Sequence, residues 1–78
     1  SSDISLELKH EIIMEHYDKM IGFYGPHGVA MFRKHTHTYS KGYEGASVMR
    51  DKVNHISDVL EYRKVLDDFF GTATVANR

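Results

Sequence analysis

Arg33, Lys34, His37 and Lys41 fall on one side of a helical projection, and Arg50 and Lys52 follow soon after along the chain. Cations gathered in this way suit an anion, above all the phosphates of a nucleic acid. There Arg33 and Arg50 would donate paired hydrogen bonds, while Lys34 and Lys41 would act as point charges. Such a contact set reads the shape of a backbone more than its base sequence. The plainer alternative is a solvated basic face that offsets acidic residues elsewhere. His35 sits at the edge of this face, where it can donate to a phosphate or ribose or hydrogen-bond within the fold.

Other chemistry finds little support. His35 and His37 are two residues apart, so on a helix their rings point about 160° apart, and no His-x-x-x-His spacing is present to chelate a metal. There is no cysteine, which removes thiolate ligands, disulfides and a thiol nucleophile and fits a reducing, cytoplasmic setting. Ser40, Ser47 and Ser57 have capping or surface roles and no nucleophile motif around them. The turn Gly25-Pro26-His27-Gly28 lacks the Gly-Lys-Ser/Thr ending of a phosphate loop. Asp67 and Asp68 point about 100° apart on a helix and suit a solvated face better than a pair of catalytic acids. The isolated chain is not expected to be an enzyme.

The elements that would position the cations are helical. Leu6, His10, Ile13, Tyr17, Met20 and Tyr24 recur at alternating four- and three-residue steps, giving a first helix from Ser5 to Tyr24. His10 on that stripe reads as a satisfied core histidine. Asp3 or Ser5 caps the start, and Gly22 with Gly25-Pro26 marks the stop. A second helix runs from about Pro26 to Lys41, with Gly42 as a left-handed cap, and carries Val29, Phe32, Thr36 and Tyr39 behind the cations. Gly45 opens a third helix with the stripe Ala46, Met49, Val53 and Ile56. Ser57 or Asp58 caps a fourth, whose core face is Val59, Tyr62, Leu66, Phe69 and Phe70 and which closes at Gly71. The expected fold is all-α, a small four-helix bundle with short connections over residues 1–71, with 72–78 a frayed tail.

The 78 residues fit one small domain with a thin core. Net charge is −1, but the charges are segregated. In residues 1–24 the acids Asp3, Glu7, Glu11, Glu15 and Asp18 outnumber Lys9 and Lys19. In residues 25–56 Arg33, Lys34, Lys41, Arg50 and Lys52 outnumber Glu44 and Asp51. No apolar run is long enough to cross a membrane.

The run Arg33-Lys34-His35, then Tyr39, Lys41-Gly42, Gly45-Ala46 and Arg50, resembles the C-terminal helical domain of bacterial tRNA-dihydrouridine synthases. The segment ending Leu66-Asp67-Asp68-Phe69-Phe70 is similar to that family's last helix. Thr38 and Glu44 depart from the family pattern, where an aromatic residue and a proline are usual. The resemblance implies a fragment of a larger flavoenzyme, in keeping with a start at Ser1 without an initiator Met. It implies FMN, NADPH and a catalytic cysteine in an N-terminal β/α barrel, with no cofactor in this chain. The partners it implies are tRNA and that barrel, with no DNA and no membrane. On this reading Arg33, Lys34, His35, His37, Lys41, Arg50 and Lys52 are the RNA-binding residues. The rival is a protein-interaction module that docks through Leu8, Ile12, Phe23 and Val48, which lie off the core stripes; in a third reading such residues pack on the enzyme's own barrel.

Overall fold

The computed structural model describes residues 5–73. Among these the chain is all-α, with helices α1 (Leu6–Tyr24), α2 (Gly28–Tyr39), α3 (Ala46–Val53) and α4 (Val59–Gly71), and a 3₁₀ turn at Gly25–His27. No helix among the described residues is long and apolar enough to cross a membrane.

The helix starts follow side-chain capping. Ser5 Oγ accepts from the Leu8 amide at 3.1 Å, and an Asp58 carboxylate oxygen accepts from the Glu61 amide at 2.9 Å. Each bond satisfies a backbone donor that the first helical turn leaves open. Asp3, the other candidate cap of α1, lies outside the described residues. α1 ends at Tyr24 as expected, with Gly22 inside it; the stop is Gly25, at φ 67, whose N–H reaches the Ile21 carbonyl. The expected bounds of the second helix are corrected. α2 begins at Gly28 rather than Pro26 and ends at Tyr39, with Ser40 as its C-cap; Gly42, at φ 85, bends the following turn instead. Of the expected tail, Thr72 donates to the Asp68 carbonyl at 2.8 Å and Ala73 packs on the core. Residues 74–78 lie outside the described residues.

α1 packs on both α2 and α4, and α3 closes against α2 and α4. Its buried residues are Ile13, Met14 and Tyr17, whereas Leu6 and Tyr24, expected in the core, are exposed at its ends. The stripe is longer than the partner surface that can cover it. His10, read as a core histidine, is only partly buried and meets Asp67 at 2.7 Å on the surface. α2 approaches α1 closely at Gly28, where a Cβ would lie 3.0 Å from the Met20 carbonyl oxygen and 3.1 Å from Ile21 Cδ1. Only glycine fits there without displacing α1.

The centre is aromatic and hydroxyl-bearing. The Tyr17 and Tyr62 rings stack with centroids 5.6 Å apart, and Phe32 meets Tyr17 edge-on at 5.2 Å. Tyr17 Oη donates to the Val59 carbonyl at 2.7 Å, and Tyr62 Oη shares a hydrogen bond with Thr36 Oγ1 at 2.7 Å. Burial, then the neighbouring Tyr62, pushes the Tyr17 phenol up to about 12. Nearer the surface, His16 on α1 lies against His35 on α2 with ring centroids 4.5 Å apart, and His16 Nδ1 meets Tyr39 Oη at 2.8 Å.

Two outcomes follow for stability. Leu66 is fully buried and Leu60 is 74% exposed on the same helix. Leu66→Ala is expected to lower unfolding free energy by about 2–5 kcal/mol, and Leu60→Ala by no more than about 0.5 kcal/mol. Urea melts that moved both midpoints equally would contradict the docking of α4. The second outcome concerns acid. Burial, then His16, then Lys34, holds the His35 imidazole below its ordinary value of 6.5. A base whose folded-state pKa is depressed contributes stability that is complete above the unfolded value and is lost as pH falls through the folded one. Tm should therefore fall more between pH 7.5 and 5 in the natural chain than in His35→Gln, and equal falls would refute this.

Candidate functional site

α2 and α3 run past one another with a polar cleft between them, with a volume of about 340 Å³. Arg33, Thr36 and His37 enter it from α2 at three- and four-residue steps. Ser47, Arg50, Asp51 and Asn54 enter from α3 and its C-cap at the same steps, with Val53 beside them. The turn from Ser40 to Gly45 sets this juxtaposition. It is pinned from below by Tyr43, which is buried against Phe69 and Phe70, and it bends at the positive-φ residues Gly42 and Gly45.

Each arginine is anchored by one hydrogen bond. Arg33 Nη2 donates to the Ile56 carbonyl at 2.9 Å, tying α2 to the loop before α4, while its Nε is buried without a partner. Arg50 Nη1 donates to Ser40 Oγ at 3.1 Å, and Ser40 Oγ donates to the His37 carbonyl at 3.2 Å. Ser40 is itself fully buried. Among the described residues neither guanidinium has a carboxylate ion-pair partner; the ion pairs there are His10–Asp67, Lys19–Glu15, Arg63–Asp18 and Lys64–Asp68. An arginine holds five N–H donors, so both retain donors for a ligand.

The residues singled out by sequence divide between this cleft and other places. Arg33, His37 and Arg50 are brought together in it. Lys34 is exposed outside the cleft lining, and Lys41 belongs to the turn after α2 rather than to the helix. Lys52 lies at a separate apolar groove of about 500 Å³ with Val48, Met49, Val65 and Phe69. His35 is packed on His16 and, at 5.5 Å between centroids, on Phe32. The sequence places Asn54 with Arg50 on one flank of the third helix, and Ser47 and Asp51, which it did not single out as site residues, share that face by their spacing. Asp51 puts a carboxylate beside the guanidinium groups. Among the described residues no three His, Cys, Asp or Glu side chains group as metal ligands.

The exposed apolar residues are also placed. Phe23 is 82% exposed and Val48 74%, with Leu8 and Ile12 less so. Phe23 contacts Tyr24 edge-on at 5.0 Å at the end of α1.

No family model matches the chain, and no solved structure does. Similar proteins are found among curated sequences. A probable tRNA-dihydrouridine synthase of Helicobacter pylori strain J99 is 39% identical over 70 residues, which is 90% of this chain and 21% of that protein. Another from Helicobacter pylori strain 26695 is 43% identical over 63 residues, covering 81% and 19%. One from Rickettsia bellii is 32% identical over 75 residues, covering 95% and 22%. The chain therefore matches one domain-sized part of the tRNA-dihydrouridine synthases, spanning about a fifth of the length of the curated relatives it matches.

Proposed function

We propose that this chain is the tRNA-binding helical domain of a flavin-dependent tRNA-dihydrouridine synthase. Its role would be to hold tRNA so that a uridine reaches the flavin of a barrel domain outside this sequence. The reading takes the four helices as one small bundle acting as a rigid support, and the setting as cytoplasmic. The observation that carries it is the cleft in which Arg33 and Arg50 converge without carboxylate partners among the described residues, in a chain similar to enzymes named for acting on tRNA. Lys34, Lys41 and Lys52 would extend the positive surface around it, with His37 in the cleft and His35 behind α2.

Enzymes of barrel or doubly wound type hold a flavin phosphate at strand ends and backbone amides, and the described residues include no strand. In this proposal FMN, NADPH and the uridine chemistry belong to the remainder of a longer enzyme, and this chain contributes binding and orientation.

A second reading has its own observation, the apolar groove flanked by exposed Val48 together with exposed Phe23. It makes the chain a protein-interaction module or a surface that docks on its own barrel. Salt separates the two. Phosphate binding by several cations weakens by orders of magnitude between about 50 and 200 mM salt, whereas apolar docking changes little.

The test is fluorescence anisotropy of unmodified tRNA with this chain at low and physiological salt, with a DNA duplex alongside. Arg50→Glu combined with Lys34→Glu is expected to abolish salt-sensitive tRNA binding while far-UV circular dichroism stays unchanged. Binding that survives in the folded double variant would sink the assignment of this face. Arg33 is a poorer probe, because it also holds the Ile56 carbonyl. Arg33→Gln should lower stability by about 1–3 kcal/mol, as expected for a hydrogen bond to a charged group.

A further inference from the structure

The geometry points to a seat for one phosphate group in the α2–α3 cleft, with Arg50 as its principal donor and Asp51 as a built-in brake on its affinity. This deepens the RNA-binding reading and rests on it only for the source of the phosphate; the chemistry recognised is a phosphate oxyanion, free or in a nucleic-acid backbone.

Three features support a single seat rather than a diffuse basic surface. First, both guanidiniums are fixed before any ligand arrives, Arg33 by the Ile56 carbonyl and Arg50 by buried Ser40. Preorganised donors lose less freedom on binding than the exposed lysines around them. Second, Arg33, one of the residues lining the cleft, keeps a buried Nε with no partner among the described residues. A buried donor left open marks a place where an ion or water belongs. Third, the cleft of about 340 Å³ exceeds the roughly 30 Å³ share of a single water many times over. It has room for a hydrated phosphate, with Ser47 and Asn54 as neutral hydrogen-bonding groups.

The helix dipoles do not help. The lining runs along the C-terminal half of α2 and the whole of α3, from Ser47 in its first turn to Asn54 at its C-cap, so no helix N-terminus is aimed at it alone. Binding must come from the guanidinium groups. Asp51 is among the residues lining the same space, so its removal should strengthen an anion's hold; a diffuse basic surface would also gain from losing a negative charge, but without saturable shifts confined to the cleft.

The experiment is a titration of the labelled 78-residue chain with inorganic phosphate at constant ionic strength, followed by NMR of arginine side chains and backbone amides. Chloride serves as the control anion, and tRNA anisotropy is run on the same variants. Saturable shifts confined to Arg33, Arg50, Ser47 and Asn54 are expected. Asp51→Asn should tighten phosphate binding about three- to tenfold, in line with removing one nearby like charge at the surface. Arg50→Gln should weaken it at least about tenfold, the loss of a charge-assisted hydrogen bond, with Lys52→Gln near neutral. If tRNA affinity follows the same order, the phosphate is one of the RNA backbone. If phosphate seats but tRNA affinity ignores Arg50 and Asp51, the seat stands for a free phosphate and the tRNA reading of this cleft fails. Shifts that never saturate, that spread over Lys34, Lys41 and Lys52, or that Asp51→Asn leaves unchanged overturn the seat, whether or not tRNA binds elsewhere.

Discussion

The hydroxyl pair between Thr36 and Tyr62 is the contact on which the other helix placements depend. It joins α2 to α4 at 2.7 Å through two fully or almost fully buried side chains. Tyr62 in turn stacks on Tyr17, whose own hydroxyl reaches the Val59 carbonyl in the first turn of α4. One bond thus fixes α2 on α4, and the next fixes α4 on α1. Hydrophobic burial is non-directional and would tolerate sliding of these helices, but buried hydroxyls do not, because each must keep its partner or lose a hydrogen bond it cannot regain from water. In a domain this small, with a thin core, such directional contacts select one register among many similar packings.

That register carries over to the surface. Thr36 lines the cleft with Arg33, about one turn earlier on the same helix, and with the adjacent His37. The chain then turns at Ser40, whose buried hydroxyl receives Arg50 from α3. Arg33 crosses to the Ile56 carbonyl and so closes the circuit back to α4 through the short loop before Asp58. The arginines of the cleft are therefore structural, and each keeps further N–H donors beyond its anchor. A lysine would supply the charge but not the fork that anchors one nitrogen while leaving others free.

Local signals along the chain were legible where local chemistry decides the outcome. Ser5 and Asp58 cap because a short oxygen acceptor precedes an apolar period, and Gly25, Gly42 and Gly45 mark the turns by adopting positive φ. The all-α character follows from the same periods. What could not be read depends on distance in space. Gly22 looked like a stop, yet an exposed glycine in a well-packed helix costs only about 1 kcal/mol and is overridden. Gly28 looked like part of a turn, and its need for glycine appears only when Met20 of α1 is brought against it. Tyr43 is a core residue in a connection, where no period announces burial, whereas Ile56, read as the end of the third stripe, is buried just beyond α3. The cationic face was legible as composition, but its division into a cleft with Arg33 and Arg50, apart from Lys34, Lys41 and Lys52, required the turn at Ser40 to be seen.

The segregated charge explains how a chain with a net charge of −1 keeps two arginines in one cleft without carboxylate ion pairs among the described residues. The acids of α1 would neutralise the middle of the chain if they faced it. Instead Asp18 takes both oxygens to Arg63 of α4, at 2.7 Å each, and Glu15 faces Lys19 on its own helix. The Arg63 hydrogen bonds hold the Asp18 carboxyl below the usual carboxylate range, so that pair stays charged at neutral pH. Asp67 and Asp68, which as a pair looked like a solvated face, are likewise engaged, by His10 and Lys64. With these acids engaged on the α1–α4 side, Asp51, next to Arg50 on α3, is the acidic residue in the described lining of the cleft with Arg33 and Arg50. Overall charge is a sum, whereas recognition depends on which charges the fold leaves without a partner, and here the helix order places those on the α2–α3 side.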